Sequence, residues 1–118
     1  MAYTNPKDPR LLQKRREHYY ANKNQYLKRN EEAKRQRRIW LAELKESSPC
    51  KDCSVYYPSY VMDFDHRDNS NKVANVSTLV TYSWKKLLEE IEKCDLVCAN
   101  CHRKRTHQRK IDKDKSMG

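Results

Sequence analysis

The chain has 118 residues and a net charge of +10, and hydrophobic and charged side chains each make up 36% of it. A chain this short and polar cannot bury a large apolar core, so it needs a second source of stability such as a disulfide or a bound metal. It has five cysteines, a polar opening unlike a leader peptide and no run of ~20 apolar residues. The expectation is therefore a cytoplasmic protein with no membrane association, in which paired cysteines hold metal rather than form disulfides.

Charge is unevenly spread. Residues 1–48 carry 13 basic and 6 acidic side chains, a balance of +7. Residues 49–97 carry 6 and 8, a balance of −2, and residues 98–118 carry 7 and 2, a balance of +5. Basic ends suit a polyanion such as nucleic acid, and an acidic centre suits a bound cation.

Residues 1–9 hold Pro6 and Pro9 and are predicted to be irregular. From there to Lys45 the chain has no glycine or proline and is rich in Lys, Arg, Glu, Gln, Leu and Ala, which is helix composition. Asn22-Lys23-Asn24 is placed to break the run into two helices. Ile39, Trp40 and Leu44 form a short stripe that docks the second helix. The remainder of this arm is polar all round, as suits a helix reaching for a partner. Ser47-Ser48-Pro49 ends the helix. Val55-Tyr56-Tyr57, the turn Pro58-Ser59 and the run Tyr60 to Asp65 read as a β-hairpin, and residues 67–82 as a polar loop. Ser83 is an N-cap for an amphipathic helix over 84–93, with Trp84, Leu87, Leu88 and Ile91 at i, i+3, i+4 and i+7. A last helix is predicted from about Ala99–Cys101 toward Lys110, with a tail fraying beyond Ile111.

Cys50-x-x-Cys53 and Cys98-x-x-Cys101 each present two thiolates from a tight turn. Together they complete the tetrahedral four-sulfur shell that structural Zn²⁺ prefers. Such a cluster would tie the start of the hairpin to the start of the last helix, and its binding energy would be folding energy. A redox C-x-x-C usually accompanies a βαβ pattern, which is missing here. Cys94, at the end of the amphipathic helix, reads as a small buried hydrophobe.

If a metal joins the two cysteine pairs, Asp63-Phe64-Asp65-His66 is brought to Cys98-Ala99-Asn100-Cys101-His102. At this point the sequence resembles the HNH endonucleases, the ββα-metal or His-Me finger nucleases. The residues that carry the likeness are Cys50-Lys51-Asp52-Cys53, Asp65-His66 and Cys98-Ala99-Asn100-Cys101-His102-Arg103, within residues 50–107. It looks most like short phage-type members with a basic helical arm. The resemblance implies an α+β, mostly helical fold: a zinc-bound ββα-metal domain over 49–112, a basic N-terminal DNA-binding arm over 1–48, and a frayed tail over 113–118. It also implies Asp65 and His102 as ligands of a catalytic Mg²⁺, Mn²⁺ or similar ion, His66 as general base, and 5′-phosphate and 3′-hydroxyl products.

These residue types suit the chemistry. Phosphodiester hydrolysis needs an activated water and a stabilised leaving oxygen, and a neutral imidazole accepts the water proton near physiological pH. Asp63 shares a strand face with Asp65 and is an alternative ligand; adjacency to His66 favours Asp65. Lys93 stands where the family's middle asparagine usually sits, with Asn75 as a candidate for that loop-bracing role. Thr106 stands where some relatives add a histidine, with His107 offset by one.

Arg15, Arg16, Lys28, Arg29, Arg35, Arg37 and Arg38 of the arm are expected to meet the phosphates of double-stranded DNA, and Arg103 and Arg105 to neutralise phosphate at the site. Tyr19, Tyr20 and Tyr26 lie among them, to stack on bases or to pack between helices. The expected location is the cytoplasm, that of a bacterial host if the chain is phage-encoded. Oligomeric state is open between monomer and homodimer. The alternative is a non-catalytic zinc-finger module that binds nucleic acid, for which a paired Asp65-His66 and His102 would have no use.

Overall fold

The arm is helical because one asparagine is all that interrupts it. In the computed structural model, which describes residues 7–117, α1 spans Pro9–Ala21. The Asp8 carboxylate accepts the Arg10 N–H at 2.9 Å, and Pro9 takes a first-turn position where a missing N–H is harmless. Residues 1–6 of the stretch predicted to be irregular lie outside the described residues. Asn22 ends α1 by donating its backbone N–H to the His18 and Tyr19 carbonyls, and α2 (Lys23–Ser47) starts at the next residue. The predicted break therefore falls at the first asparagine of its patch. Beside it Tyr19 stacks on Tyr26 with ring centroids 6.0 Å apart, and the Tyr26 hydroxyl meets His18 Nε2 at 3.1 Å.

The chain divides into two units, Met1–Ala33 and Lys34–Gly118. In the first, α1 has no buried residue, and Arg15, Arg16, Lys28 and Arg29 are exposed. The boundary falls within α2, whose second half packs into the cysteine-bearing unit. That half buries Arg37 and Leu41, while of the predicted stripe Trp40 and Leu44 are half-buried and Ile39 is exposed.

In the second unit the strand partner differs from prediction. Residues 55–58 form no strand, and Ser59–Val61 make one 3-10 turn, closed by the Val61 N–H on the Pro58 carbonyl. Pro58 has no N–H for a ladder, and the Val55 carbonyl is taken by the Cys50 N–H. Strand β1 (Met62–His66) pairs instead with β2 (Cys94–Cys98), antiparallel, from Met62 opposite Cys98 to His66 opposite Cys94. The predicted polar loop holds a further correction. A 3-10 turn at Asn69–Asn71 is followed by α3 (Val76–Leu79), whose Val76 and Leu79, with Val80, are buried.

The Ser83 hydroxyl caps α4 (Trp84–Ile91), accepting the Lys86 N–H. Leu87 of α4 is fully buried among Leu41, Val76, Leu79, Val80 and Cys94, and such burial stabilises by about 2 kcal/mol. Trp84 and Leu88 of the predicted stripe stay exposed, Trp84 edge-on to Trp40 at 5.3 Å. Finally, α5 (Ala99–Met117) packs on both strands. It outruns the predicted end near Ile111, with strong helix formers and a Gln108–Asp112 bond at 3.0 Å supporting its last turns. The architecture is thus α+β and mostly helical, with one two-stranded sheet. Among the described residues no helix is long and apolar enough to cross a membrane.

Candidate active site and metal centres

The cysteine cluster lies at the Met62–Cys98 end of the ladder. The Sγ atoms of Cys50, Cys53, Cys98 and Cys101 all lie within 4.8 Å of one another. Cys53 and Cys98 are 4.0 Å apart, twice a disulfide bond length of about 2.05 Å, and the thiols are free. Ser54 closes the first turn with a φ of 61° and its N–H on the Cys50 carbonyl at 2.8 Å.

Burial pushes the Cys50 thiol up, but backbone N–H groups of Cys53, Cys98 and Asp52 outweigh it and hold the thiol at about 6. Cys101 is pushed to about 12, first by its hydrogen bond with Cys98 and then by burial. Four thiolates this close would repel one another, so the cluster favours a cation at its centre. The donor set and its spacing fit a metal ion such as zinc. Cys94 is not part of the group. It opens β2 instead of ending the helix, is buried as expected, and donates to the Glu90 carbonyl at 3.3 Å. Burial raises its thiol to about 11.

Polar groups gather toward the other end of the ladder. Asp63 and Asp65 do share a strand face, and both reach His102 in the first turns of α5. Asp63 Oδ2 is 3.0 Å from His102 Nδ1, and Asp65 Oδ1 is 3.4 Å from His102 Nε2. The next residue, His66, is buried and meets the Glu90 carboxylate of α4 at 2.7 Å. Asp63, Asp65, His66 and His102 all line one cleft of about 520 Å³, with Lys45 and Arg109 also on its wall. The sequence-predicted trio is thus brought to a single cavity.

The 3.4 Å between Asp65 Oδ1 and His102 Nε2 is an ion-pair distance, and it also sets what a cation between them would require. Two ligands at right angles on an ion with bonds of ~2.1 Å stand roughly 3 Å apart, so Asp65 Oδ1 and His102 Nε2 need little adjustment. Asp65 is held by a guanidinium. Arg109 grips both Asp65 oxygens, at 2.8 and 2.7 Å, a bidentate pairing. Burial works to raise the Asp65 carboxyl, but Arg109 and then Arg105 outweigh it and hold it below the usual carboxylate range.

Arg105 departs from its expected role at phosphate. Its Nε and one NH2 group hold Asp52 at 2.6 Å each, while the other reaches Asp95 at 2.9 Å and Asp65 at 3.1 Å. The register explains why. Asp65 lies directly opposite Asp95, and facing like charges destabilise a ladder unless a cation joins them. Lys51 at 2.9 Å and Arg67 at 3.2 Å complete the neutralisation of Asp95. Lys51 and Asp52 are the two residues inside the first C-x-x-C, so the metal knuckle and the Asp65 carboxylate share one charge network.

Arg37 is likewise corrected. It is buried, and its guanidinium donates to the Val80 carbonyl, so it braces α2 instead of facing a phosphate. Arg35, Arg38 and Arg103 are exposed. Asn75 N-caps α3 without a side-chain hydrogen bond and lines the cleft. The loop is braced by Lys93 itself, which donates to the Asn71 carbonyl and the Glu90 carboxylate, each at 2.9 Å. His107 is exposed beside His102 and Arg103.

Sequence reasoning missed Glu90 and the grip of Arg109 on Asp65. Arg109 falls two helical turns after His102, a signal that could have placed it on the same face. Glu90 falls three residues after Leu87, on the apolar side of α4, and a carboxylate in that position is itself a signal. No family model matches the chain, and no curated protein or solved structure matches it either.

Proposed function

We propose that this chain is a metal-dependent HNH-type endonuclease of double-stranded DNA, with a ββα-metal core formed by β1, β2 and α5 and stapled by a structural zinc ion. One observation carries the reading. Asp65 and His102, from two elements far apart in sequence, stand 3.4 Å apart in a cleft that His66 also lines. A binding module has no need of that arrangement.

Asp65 and His102 would hold a Mg²⁺, Mn²⁺ or similar ion, which when bound supplies Lewis-acid stabilisation of the phosphate and the leaving 3′-oxygen. His66 takes the proton of the attacking water, so the products carry a 5′-phosphate and a 3′-hydroxyl. Lys45 and Lys72, on the cleft wall, offer positive charge to the DNA backbone. Arg109, which pairs with Asp65, would be available to a substrate phosphate if Asp65 held a cation instead. The exposed basic residues Arg15, Arg16, Lys28, Arg29, Arg35 and Arg38 add sequence-independent affinity.

A second reading, a non-catalytic zinc module for nucleic acid, is favoured by one specific observation, the arginine pair on Asp65. Supercoiled plasmid separates the two. With Mg²⁺ or Mn²⁺ the nuclease converts it to nicked and linear forms, EDTA stops this, and Asp65→Asn abolishes it. Salt-sensitive binding without nicking in any metal would select the second reading.

A further inference from the structure

Glu90 has no packing reason to be where it is. It shares the inner face of α4 with Leu87, and it is 2% exposed. An isolated carboxylate there would cost several kcal/mol, so it must be compensated by partners. Three are present. Oε2 faces His66 Nε2 at 2.7 Å and accepts the Val73 N–H at 3.0 Å, while Oε1 accepts Lys93 Nζ at 2.9 Å.

Two of these partners, a backbone amide and an ammonium group, can only donate, and with the Lys93 ammonium on it the Glu90 carboxyl is held at about 2 despite its burial. An ionised carboxylate only accepts, so the remaining partner donates too, which puts a proton on His66 Nε2. In the neutral ring the lone pair is then on Nδ1. Among the described residues Nδ1 has no hydrogen bond, and no buried side-chain nitrogen is left without one. Nδ1 is therefore not sealed off from solvent, and the opening that His66 lines is the cleft.

We propose that Glu90 is the positioning residue of His66: its buried carboxylate holds the Nε2 proton and so presents Nδ1 to the cleft as the base. This role in turnover rests on the nuclease reading; the tautomer does not. The same carboxylate fixes the wall around the base. It binds Val73 directly, and Lys93 extends its reach to the Asn71 carbonyl. The loop between β1 and α3, which brings Asn69, Lys72 and Asn75 to the cleft, is thus tied to the group that orients the imidazole.

The test pairs a spectroscopic signature with kinetics in the zinc-loaded protein. Nitrogen-15 NMR of the histidine rings reads the neutral tautomer of His66 without any nuclease assay. Wild type is expected to show Nε2–H with an unprotonated Nδ1, and Glu90→Gln to lose that single tautomer. Under Mg²⁺ or Mn²⁺, Glu90→Gln should lower kcat for plasmid nicking by about 10- to 100-fold, with KM for DNA unchanged. A role in folding alone would lower the melting temperature and leave the tautomer intact. An Nδ1–H tautomer in wild type overturns the proposal even if Glu90→Gln does not fold, and so does an unchanged tautomer and kcat in a folded Glu90→Gln. An Nε2–H tautomer lost in the variant, in a protein that never nicks DNA, would keep the positioning role and reject the nuclease.

Discussion

The two ends of the β1–β2 ladder are held by opposite chemistries. Around Met62 and Cys98, four sulfurs crowd within 4.8 Å and three of the four cysteines are buried. Toward His66 and Cys94, carboxylates and imidazoles meet guanidinium groups around an open cleft. The sulfur end is a closed set of four ligand atoms. The cleft end consists of ion pairs, which can be exchanged for other ion pairs. A structural site should be closed and a reacting site should keep open positions, and the two ends divide along that line. Arg105 joins them, since it binds Asp52 inside the first C-x-x-C and also Asp65.

The largest way to break this comparison is to remove the metal from the sulfur end. Chelation, or Cys98→Ser, should abolish cooperative melting of the unit, because zinc binding in small domains is worth about 10–16 kcal/mol and is coupled to folding. Circular-dichroism melts alongside zinc quantitation check this. An unchanged melt in metal-free protein would remove the staple from the account.

Cutting the link between the ends comes next. Arg105→Ala leaves Asp52, Asp65 and Asp95 facing one another. It should cost about 2–4 kcal/mol in urea unfolding, less than a fully buried pair because of partial exposure. Arg109→Ala should cost under about 1 kcal/mol, since its side chain is 40% exposed. It should also tighten Mn²⁺ binding at Asp65, read by electron paramagnetic resonance, by removing the competing charge. Equal costs for the two variants would erase the distinction between bracing and exchangeable arginines.

The smallest effect is graded by pH. Burial tends to raise Glu90 and Asp95, but their cationic and N–H partners hold each at about 2, against ordinary values of 4.5 and 3.8. Folded values below the unfolded ones mean stability that is fully present above about pH 4.5 and lost as pH falls toward 2. Glu90→Gln and Asp95→Asn should each flatten that limb of the stability curve, measured by denaturant unfolding across the window.

What was legible beforehand was local. The C-x-x-C spacings, the Ser83 cap, the break at Asn22 and the apolar spacing of α4 each depend on neighbours within a turn or two, and the structure keeps them. The paired Asp65 and His102 were legible through motif spacing. Strand β2 was not, because Cys94–Cys98 follows directly on a helix and its apolar residues extend the same pattern. Only pairing with β1 makes it a strand, and pairing is non-local. Arg37 looked like any arm arginine until α3 delivered the Val80 carbonyl to it. Glu90 falls on the apolar side of α4, which flags it, but its partners His66 and Val73 come from β1 and the loop after it, and that meeting is non-local.

In the proposed function the cleft cuts DNA with His66 as the base. The most direct test is wild type against His66→Ala, both zinc-loaded, with plasmid nicking and DNA affinity measured on the same preparations. The account predicts equal affinity, measured in EDTA, and metal-dependent nicking in the wild type alone. Nicking that persists in folded His66→Ala, or a wild type that binds DNA and never cuts it, would contradict it.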